Sequence, residues 1–518
     1  MLDNPILNQE PIKVNRALIS VFDKTGVAEL AQVLDELNVE ILSTGSTAKT
    51  LREASVAVMD VSNYTQFPEI MDGRVKTINP LVVGGILGLR DQHAEDAKAN
   101  NIKWIDLVVC NLYPFSKTIS REDCDLALAL ENVDIGGPTM IRSAAKNVGW
   151  VCVVVDPADY PAIIEELKMN GVLSFETRKK LSSKAFGFTA QYDTIVHNYL
   201  KDEKFSDDFS LTFKKHSNLR YGENPHQQAA SYKIPGNNEP NILNAKIYQG
   251  KQLSYNNIMD ANAALACVRE FDGAACVVVK HANPCGVAVG DDLLDVYNRA
   301  FNADNLSAFG GIIALNRTCS VDVAEAISKV FVEIVLAPNY ESDALVFFKK
   351  KKNLRVLEIG NFGKRNSKVE YRSVEGGLLV QDTDTKILTK DDLKVVTKKQ
   401  PSYKDIETAL FTWKVLRHAK SNGILIAKNN TTIGLGAGQV SRVDAVHMAL
   451  RKSGGNVQGA VMASDAFFPF RDSIDAIRET GITTVIQPGG SIRDQEVIDA
   501  CNEFGIAMVF TGTRCFKH

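Results

Sequence analysis

Apolar residues in the first 200 positions fall into two alternating patterns. Short β-branched runs predict buried strands over 17–22, 39–42, 56–60, 105–110 and 150–155. Between them the spacing becomes that of an amphipathic helix: Leu30, Val33, Leu34 and Leu37 share one face over 27–37, and a second helix is predicted over 47–53. Two longer helical stretches, near 158–169 and 174–200, close this unit. Strand and helix patterns in alternation predict a parallel sheet with crossover helices.

From 201 to 217 the periodicity is lost in a charged run, Lys201-Asp202-Glu203-Lys204-Phe205-Ser206-Asp207-Asp208, which reads as a domain connection. Two further strand–helix halves follow. One centres on the apolar run 274–279, the other on 423–428, 457–462 and 483–486. The weakest seam between them lies near 350–400, rich in Lys, Asp and Gly, where Lys349 to Lys352 form a solvated surface run. At 518 residues the chain exceeds one core, and the expected partition is 1–200, 201–375 and 376–518. No short repeat and no low-complexity tail stands out.

Charge narrows the partners. Fifty-nine Lys and Arg oppose 62 Asp and Glu, a net charge of −3, which argues against a general nucleic-acid binder while allowing local basic pockets. The nine cysteines are scattered singly, several inside apolar runs, with no Cys-x-x-Cys spacing, as expected of reduced thiols. The first 16 residues are polar, with Asp3, Glu10 and Pro11 in place of a signal-peptide core, and no stretch has the length of a membrane span. A cytoplasmic protein is expected.

Candidate chemistry is concentrated where strands end. The run 274–279 is expected to stop at Lys280-His281-Ala282-Asn283-Pro284-Cys285-Gly286, with Pro284 and Gly286 ending regular structure. Two polar side chains at the mouth of a dry strand are costly unless used. An adjacent ammonium disfavours a charged imidazole, so His281 would stay basic while Lys280 stabilises developing negative charge. A strand end with two solvated charges accounts for the same letters. In the first unit, Ser43-Thr44-Gly45-Ser46-Thr47 follows a strand and opens a helix, which suits an anion at a helix N-terminus as well as simple capping. Lys24 follows the neighbouring strand and shifts the reading towards phosphate.

Asp72-Gly73-Arg74-Val75-Lys76-Thr77 puts two cations on alternate positions, facing one way if extended. Asn111-Leu112-Tyr113-Pro114-Phe115, Asp134-Ile135-Gly136-Gly137-Pro138-Thr139 and Lys146 complete a set without metal-ligand spacing, suited to acid–base and oxyanion chemistry. The run Gly434-Leu435-Gly436-Ala437-Gly438 looks like a dinucleotide motif, but its spacing is G-x-G-x-G and no acidic residue stands where one is expected, so a nicotinamide cofactor is poorly supported.

Arg-Tyr-Gly-Glu-Asn-Pro-His-Gln, Lys-His-Ala-Asn-Pro-Cys-Gly, Gly-Ala-Gly-Gln and Ser-Asp-Ala-Phe-Phe-Pro-Phe-Arg-Asp follow these first-unit strings in order. From about Ala17 to His518 the chain closely resembles the bifunctional purine-biosynthesis enzymes that are both AICAR formyltransferase and IMP cyclohydrolase. The resemblance implies an α/β architecture: an N-terminal methylglyoxal-synthase-like doubly wound parallel sheet, then two cytidine-deaminase-like subdomains without zinc. A zinc deaminase needs a second cysteine after Pro-Cys, and Pro284-Cys285 has none. It also implies small-molecule partners (AICAR, formyl-AICAR and a folate), 10-formyltetrahydrofolate as formyl donor, room for a monovalent cation, a homodimer with the transferase site across its interface, and neither nucleic acid nor membrane.

Carried over by motif, cyclisation would use Lys76, Tyr113, Asp134 and Lys146, beside Arg74, Thr77 and Asn111, with Lys24, Thr44, Ser46 and Thr47 on the ribotide phosphate. Phe22, Ser46 and Asn79 depart from the usual Ser, Gly and His. Formyl transfer would centre on Lys280 and His281 with Asn283, and with Arg220 and Tyr221 on the nucleotide side. Phe309, Gly310, Asn422, Ser441, Arg442, Phe467, Asp472, Arg514, Phe516 and His518 would complete it. Two rival readings are a nucleotide-binding regulator without turnover and a nicotinamide oxidoreductase. Intact Lys280, His281, Lys76 and Asp134 speak against the first, and the glycine spacing against the second.

Overall fold

The computed structural model describes residues 6–363 and 369–518; Asp3 of the N-terminal run lies outside them. Contacts divide the chain into two units, one reaching to Lys214 and including 234–236, the other formed by 215–233 and 237–518.

In the first unit β1 (Arg16–Ser20), β2 (Glu40–Ser43), β3 (Met59–Asp60), β4 (Leu107–Cys110) and β5 (Cys152–Val154) lie in the order β3-β2-β1-β4-β5, every pair parallel. Ala17 and Ile19 enter one core with Leu30 and Leu34, while Leu18 enters another with Val108 and Ile141. Both faces are therefore covered, as a doubly wound sheet requires. The helices that cover it include α1 (Val27–Glu36), α2 (Gly45–Glu53), α3 (Pro80–Leu87), α4 (Gly136–Lys146), α5 (Tyr160–Asn170) and α6 (Phe175–Leu200). The strand expected over 56–60 is shorter: Val56 packs into the core, but only Met59 and Asp60 pair with β2. All strands run the same way, so the loops after β1, β2 and β4 share one carboxyl edge, and the order in which strands are added reverses between β1 and β4, which makes a switch point there.

The second unit is built on one twelve-stranded sheet. Its strands are β6 (Lys246–Gln249), β7 (Ala274–Lys280), β8 (Asn283–Gly290), β9 (Ile312–Leu315), β10 (Ile334–Ala337), β11 (Arg355–Glu358), β12 (Lys394–Val395), β13 (Ile424–Lys428), β14 (Thr431–Gly436), β15 (Val461–Ser464), β16 (Thr484–Gln487) and β17 (Ala507–Phe510). The same motif occurs twice: the hairpin β7–β8 with antiparallel β9 and parallel β10 and β11, and the hairpin β13–β14 with antiparallel β15 and parallel β16 and β17. A helix precedes each hairpin, α7 (Tyr255–Val268) and α8 (Tyr403–Leu416), and each starts on a Ser with a capping box. The halves join where Ala288 pairs with Thr431, and Val277 and Leu425 belong to one core. The seam at 350–400 holds a separate hairpin, Val369–Val374 with Gly377–Asp382.

Two expectations are corrected here. Pro284 and Gly286 do not end regular structure: they lie within β8, where the register with β7 shifts. Proline is tolerated because a bulge frees the chain from donating at that position. The run expected at 457–462 forms its strand later, over β15. The glycine-rich run has a packing cause. A Cβ at Gly434 would lie 2.2 Å from the Ala449 carbonyl oxygen, and at Gly436 2.0 Å from that of Ala445, so β14 rides directly on the backbone of α9 (Arg442–Lys452). All nine cysteines are free thiols, seven of them buried.

Candidate active sites

The carboxyl edge of the first unit gathers most of the cyclisation candidates. Asp134 is half-buried just before α4, accepting from the Gly137 N–H at 2.8 Å and donating its own N–H to the Tyr192 hydroxyl at 2.7 Å. Burial pushes its carboxyl above the usual carboxylate range, against the pull of the Gly137 and Tyr113 N–H groups and the Lys76 ammonium. The Tyr113 backbone N–H and the Lys76 ammonium thus lie close to the Asp134 carboxyl. Gly137 is needed there, since a Cβ would sit 2.4 Å from Leu112. Buried Thr77 packs against Gly136, where a Cβ would lie 3.0 Å from its hydroxyl.

Other candidates are placed differently. Arg74 follows a 3₁₀ turn over residues 71–73 and, exposed, is paired with Glu131. Lys146 ends α4, ten residues on from its start. A helix crossing between parallel β4 and β5 runs back to the amino edge, about 15 Å away at 1.5 Å per residue. The structure does not bring Lys146 to Asp134. Thr47 exchanges bonds with the backbone of Val21, donating at 2.9 Å and accepting at 3.1 Å. Asn111 accepts from the N–H groups of Phe22 and Asp23 at 2.7 and 2.9 Å and donates to the Asp23 carbonyl. Both brace the loop that carries exposed-side Lys24. Thr44 lies beside Ser20, hydroxyl to hydroxyl at 3.3 Å, and Ser46 is exposed at the N-terminus of α2. Of the departures, Phe22 lays its ring 5.2 Å from that of Tyr113, and Asn79 caps α3 by accepting from the Leu81 N–H.

In the second unit Lys280 ends β7 and donates to the carbonyls of Gly310 and Phe309 at 2.9 and 3.3 Å. His281 is exposed at the tip of the hairpin, where it and Ala282 both have positive φ, 50° and 59°. Asn283 donates to the His281 carbonyl at 3.0 Å and accepts from the Lys420 N–H at 2.9 Å. Phe309 stacks at 5.2 Å on Phe331. Asp260, on α7, accepts from the Ala282 N–H at 2.8 Å; burial pushes its carboxyl above the usual range, with that N–H, His281 and Lys280 close enough to pull it back.

Two cavities accompany the tip. One of about 260 Å³ is lined by Arg220 and Tyr221 together with Asn257, Phe331, Glu333 and Arg355. Asn257 donates to Glu333 at 2.7 Å, and Arg355 lies 3.7 Å from the same carboxylate. Asp260, Asn257, Glu333 and Arg355 were not singled out from the sequence. Their only signal is a charge or amide inside an otherwise apolar run. The other cavity, of about 660 Å³, is lined by Asn422, Ser441, Arg442, Phe467, Asp472, Arg514 and Phe516, among others, and not by Lys280 or His281. His518 stacks 5.6 Å from Phe516. Arg442 is buried, donating to Asp465 and to Asn422 at 2.6 Å and to Ser464 at 2.8 Å, while Ser441 caps α9 through Asp444. Arg442 and Asn422 form a wall of this cavity from inside a network. Among the described residues no group of three or more His, Cys, Asp or Glu could hold a metal ion.

A doubly wound parallel sheet with Asp134 half-buried near Lys76, followed by a duplicated α/β unit with a Lys-His hairpin tip, is the architecture of an α/β enzyme. Comparison with known proteins gives the particular family. The family model described as "AICARFT/IMPCHase bienzyme" matches residues 144–452, and that of the "MGS-like domain" matches 26–139. A "Bifunctional purine biosynthesis protein PurH" of Acetivibrio thermocellus is 52% identical over 98% of this chain and 100% of its own length. One of Caldicellulosiruptor saccharolyticus is 48% identical over 97% and 99%. A solved structure described as "Crystal structure of ForH" is 34% identical, covering 35% of this chain and 94% of its own, with a TM-score of 0.33. The chain belongs to the AICARFT/IMPCHase bienzyme family. It is a bifunctional enzyme of purine biosynthesis, a formyltransferase and an IMP cyclohydrolase, with an MGS-like N-terminal domain.

Proposed function

We propose that the two reactions are run by two separate groups of residues, one in each unit. The observation that carries this reading is the placement of Lys76, Tyr113 and Asp134 together in the first unit and of Lys280 and His281 at one hairpin tip in the second. The partition into 1–200, 201–375 and 376–518 goes with it.

In formyl transfer the 5-amino group of AICAR attacks the formyl carbon of a folate-type donor, which we take as 10-formyltetrahydrofolate. The amine is a weak nucleophile because the neighbouring carboxamide withdraws electron density. His281 takes the proton it loses, and the Lys280 ammonium, already held against two carbonyls, stabilises the oxyanion. Collapse of the tetrahedral intermediate expels the folate nitrogen, which takes up a proton. Arg220 and Tyr221 bind the nucleotide, Phe309 supplies an apolar wall, and Asn283 holds the tip. Asn422, Ser441, Arg442, Phe467, Asp472, Arg514, Phe516 and His518 form the folate side.

In cyclisation the carboxamide nitrogen attacks the new formyl carbon and water leaves. Asp134, biased towards its protonated form, donates to the departing hydroxyl, and Lys76 stabilises the oxyanion beside Tyr113. Lys24, Thr44 and Ser46 surround the N-terminus of α2 and hold the ribotide phosphate, with Thr47 and Asn111 keeping that loop in shape. Arg74 and Thr77 shape the Lys76 segment. The remaining partner is a second copy of the chain: Phe309, Leu306, Val440 and Ile492 leave large apolar side chains 64%, 83%, 100% and 104% exposed, which pairing would cover. We place the enzyme in the cytoplasm; no helix among the described residues is long and apolar enough to cross a membrane.

The test uses the full chain. Lys76→Ala should lower cyclisation of formyl-AICAR about 10²–10³-fold and leave formyl transfer unchanged. His281→Ala should lower transfer about 10²–10⁴-fold and leave cyclisation unchanged. Loss of both activities in either folded variant would refute two separate sites.

A further inference from the structure

The repeat within the second unit supplies a comparison the molecule makes with itself. In both halves a two-residue turn joins the hairpin strands: Lys280 pairs with Asn283 across His281-Ala282, and Lys428 pairs with Thr431 across Asn429-Asn430. All four turn residues lie at positive φ, 50° and 59° in the first, 51° and 54° in the second. The second turn uses asparagine twice, which tolerates this region because its short side chain bonds locally. The first uses histidine and alanine, and for alanine the left-handed conformation costs about 1–2 kcal/mol. Something outside the turn must hold it.

What holds it lies on the preceding helix. Asp260 occupies the sixth position of α7 and accepts from the Ala282 N–H at 2.8 Å. Successive N–H groups in a turn of this kind make a concave anion site. The matching position of α8, counted from the same capping serine, is Thr408, with no carboxylate, and there the turn needs none. The half with a carboxylate at this position is the half whose turn contains an alanine at positive φ, and it is the half that carries Lys280 and His281.

We propose that Asp260 is a positioning residue for formyl transfer: its carboxylate pins the strained His281-Ala282 turn and so fixes the direction in which the imidazole is presented. Asp260 acts through the backbone and does not touch the reacting atoms. The inference rests on the reading that His281 is the base of formyl transfer.

The full-length enzyme tests it. Asp260→Ala should lower kcat for formyl transfer about 100-fold, the scale of a misplacement of about 1 Å, with KM for AICAR nearly unchanged and cyclisation intact. The double variant Asp260→Ala/Ala282→Gly should recover most of that loss, because glycine adopts positive φ without strain. A merely structural role for Asp260 in α7 would not respond to residue 282. An unchanged kcat in Asp260→Ala, or a loss that Ala282→Gly does not relieve, overturns the proposal. Should Asp260→Ala fail to fold, Asp260→Asn keeps an acceptor for the Ala282 N–H and should retain most of the transfer rate; a rate as low as that of His281→Ala overturns it equally. His281→Ala run in parallel separates the two claims: if it transfers formyl groups normally, the reading of the base falls and the inference with it.

Discussion

Replacing Arg442 by methionine should uncouple the wall of the larger cavity from its support. The guanidinium is nearly enclosed and lies 2.6 Å from a carboxylate of Asp465 that has no exposed side-chain surface. The substitution deletes bonds to Asp465, Ser464 and Asn422. Asp465 keeps the Ser421 hydroxyl and the Gly423 N–H but loses its only ion-pair partner among the described residues. Breaking a buried pair by removing one side costs about 3–5 kcal/mol, mostly because a charge is stranded. The cost should fall on the second unit, read as a lower urea midpoint for loss of formyl transfer while cyclisation keeps its wild-type midpoint. Adding Asp465→Asn removes the stranded charge, so the double variant should be more stable than Arg442→Met alone, a coupling the four-variant cycle measures. A loss under about 1 kcal/mol, or a double variant no better than the single one, would show that the pair does not support this wall.

Asp134 carries a sign that can be measured. Its carboxyl is raised in the folded chain by burial, so the stability it contributes is full below its unfolded value and is lost as pH rises through the folded one. Asp134→Asn should therefore match wild type in acid and become the more stable of the two as pH rises towards neutrality; a melting-temperature difference constant with pH would refute this. Gly436→Ala forces a methyl to within 2.0 Å of the Ala445 carbonyl oxygen, so β14 and α9 must part, at about 1–3 kcal/mol and with reduced formyl transfer. Unchanged melting and transfer would show that the close approach is not required.

The first unit was legible because its signals are local. Runs such as 17–22 and 105–110 are apolar on both sides, and a strand buried on both faces has that composition. Of the predicted helix face, Leu30, Val33 and Leu34 are buried as spaced, while Leu37 falls just past the end of the helix and is exposed. What failed was direction in space. Lys146 was grouped with Asp134 though one helix later in sequence, and that helix runs towards the other edge of the sheet. Arg74 follows directly on a 3₁₀ turn and pairs with Glu131, a partner that its alternation with Lys76 did not reveal. In the second unit the turn at 281–282 was hidden because Pro284 and Gly286 look like terminators, whereas a bulge absorbs both. Asp260 was invisible for a different reason: a single carboxylate on a helix gives no hint of a backbone N–H that approaches from 22 positions away.

The duplication also fixes which end of the second hairpin lies beside the tip of the first. β8 and β14 run antiparallel, with Ala288 opposite Thr431. The tip of the first hairpin must then lie beside the open end of the second, where β13 begins and β14 finishes, and the Asn283–Lys420 bond at 2.9 Å records that approach. That open end is where Asn422 accepts from Arg442 and donates to the carbonyls of Gln439 and Val440. The tip of the second hairpin, Asn429-Asn430, lies by the same rule at the far end of β8, where the Asn430 carbonyl accepts from the Val289 N–H. Two copies of one motif joined edge to edge thus place their tips at opposite ends of the sheet. At the end that carries His281, the preceding helix bonds the turn through Asp260, and residues of the other copy line the larger cavity. The antiparallel join brings the other copy beside one tip, and α7 brings the Asp260 carboxyl to the turn there.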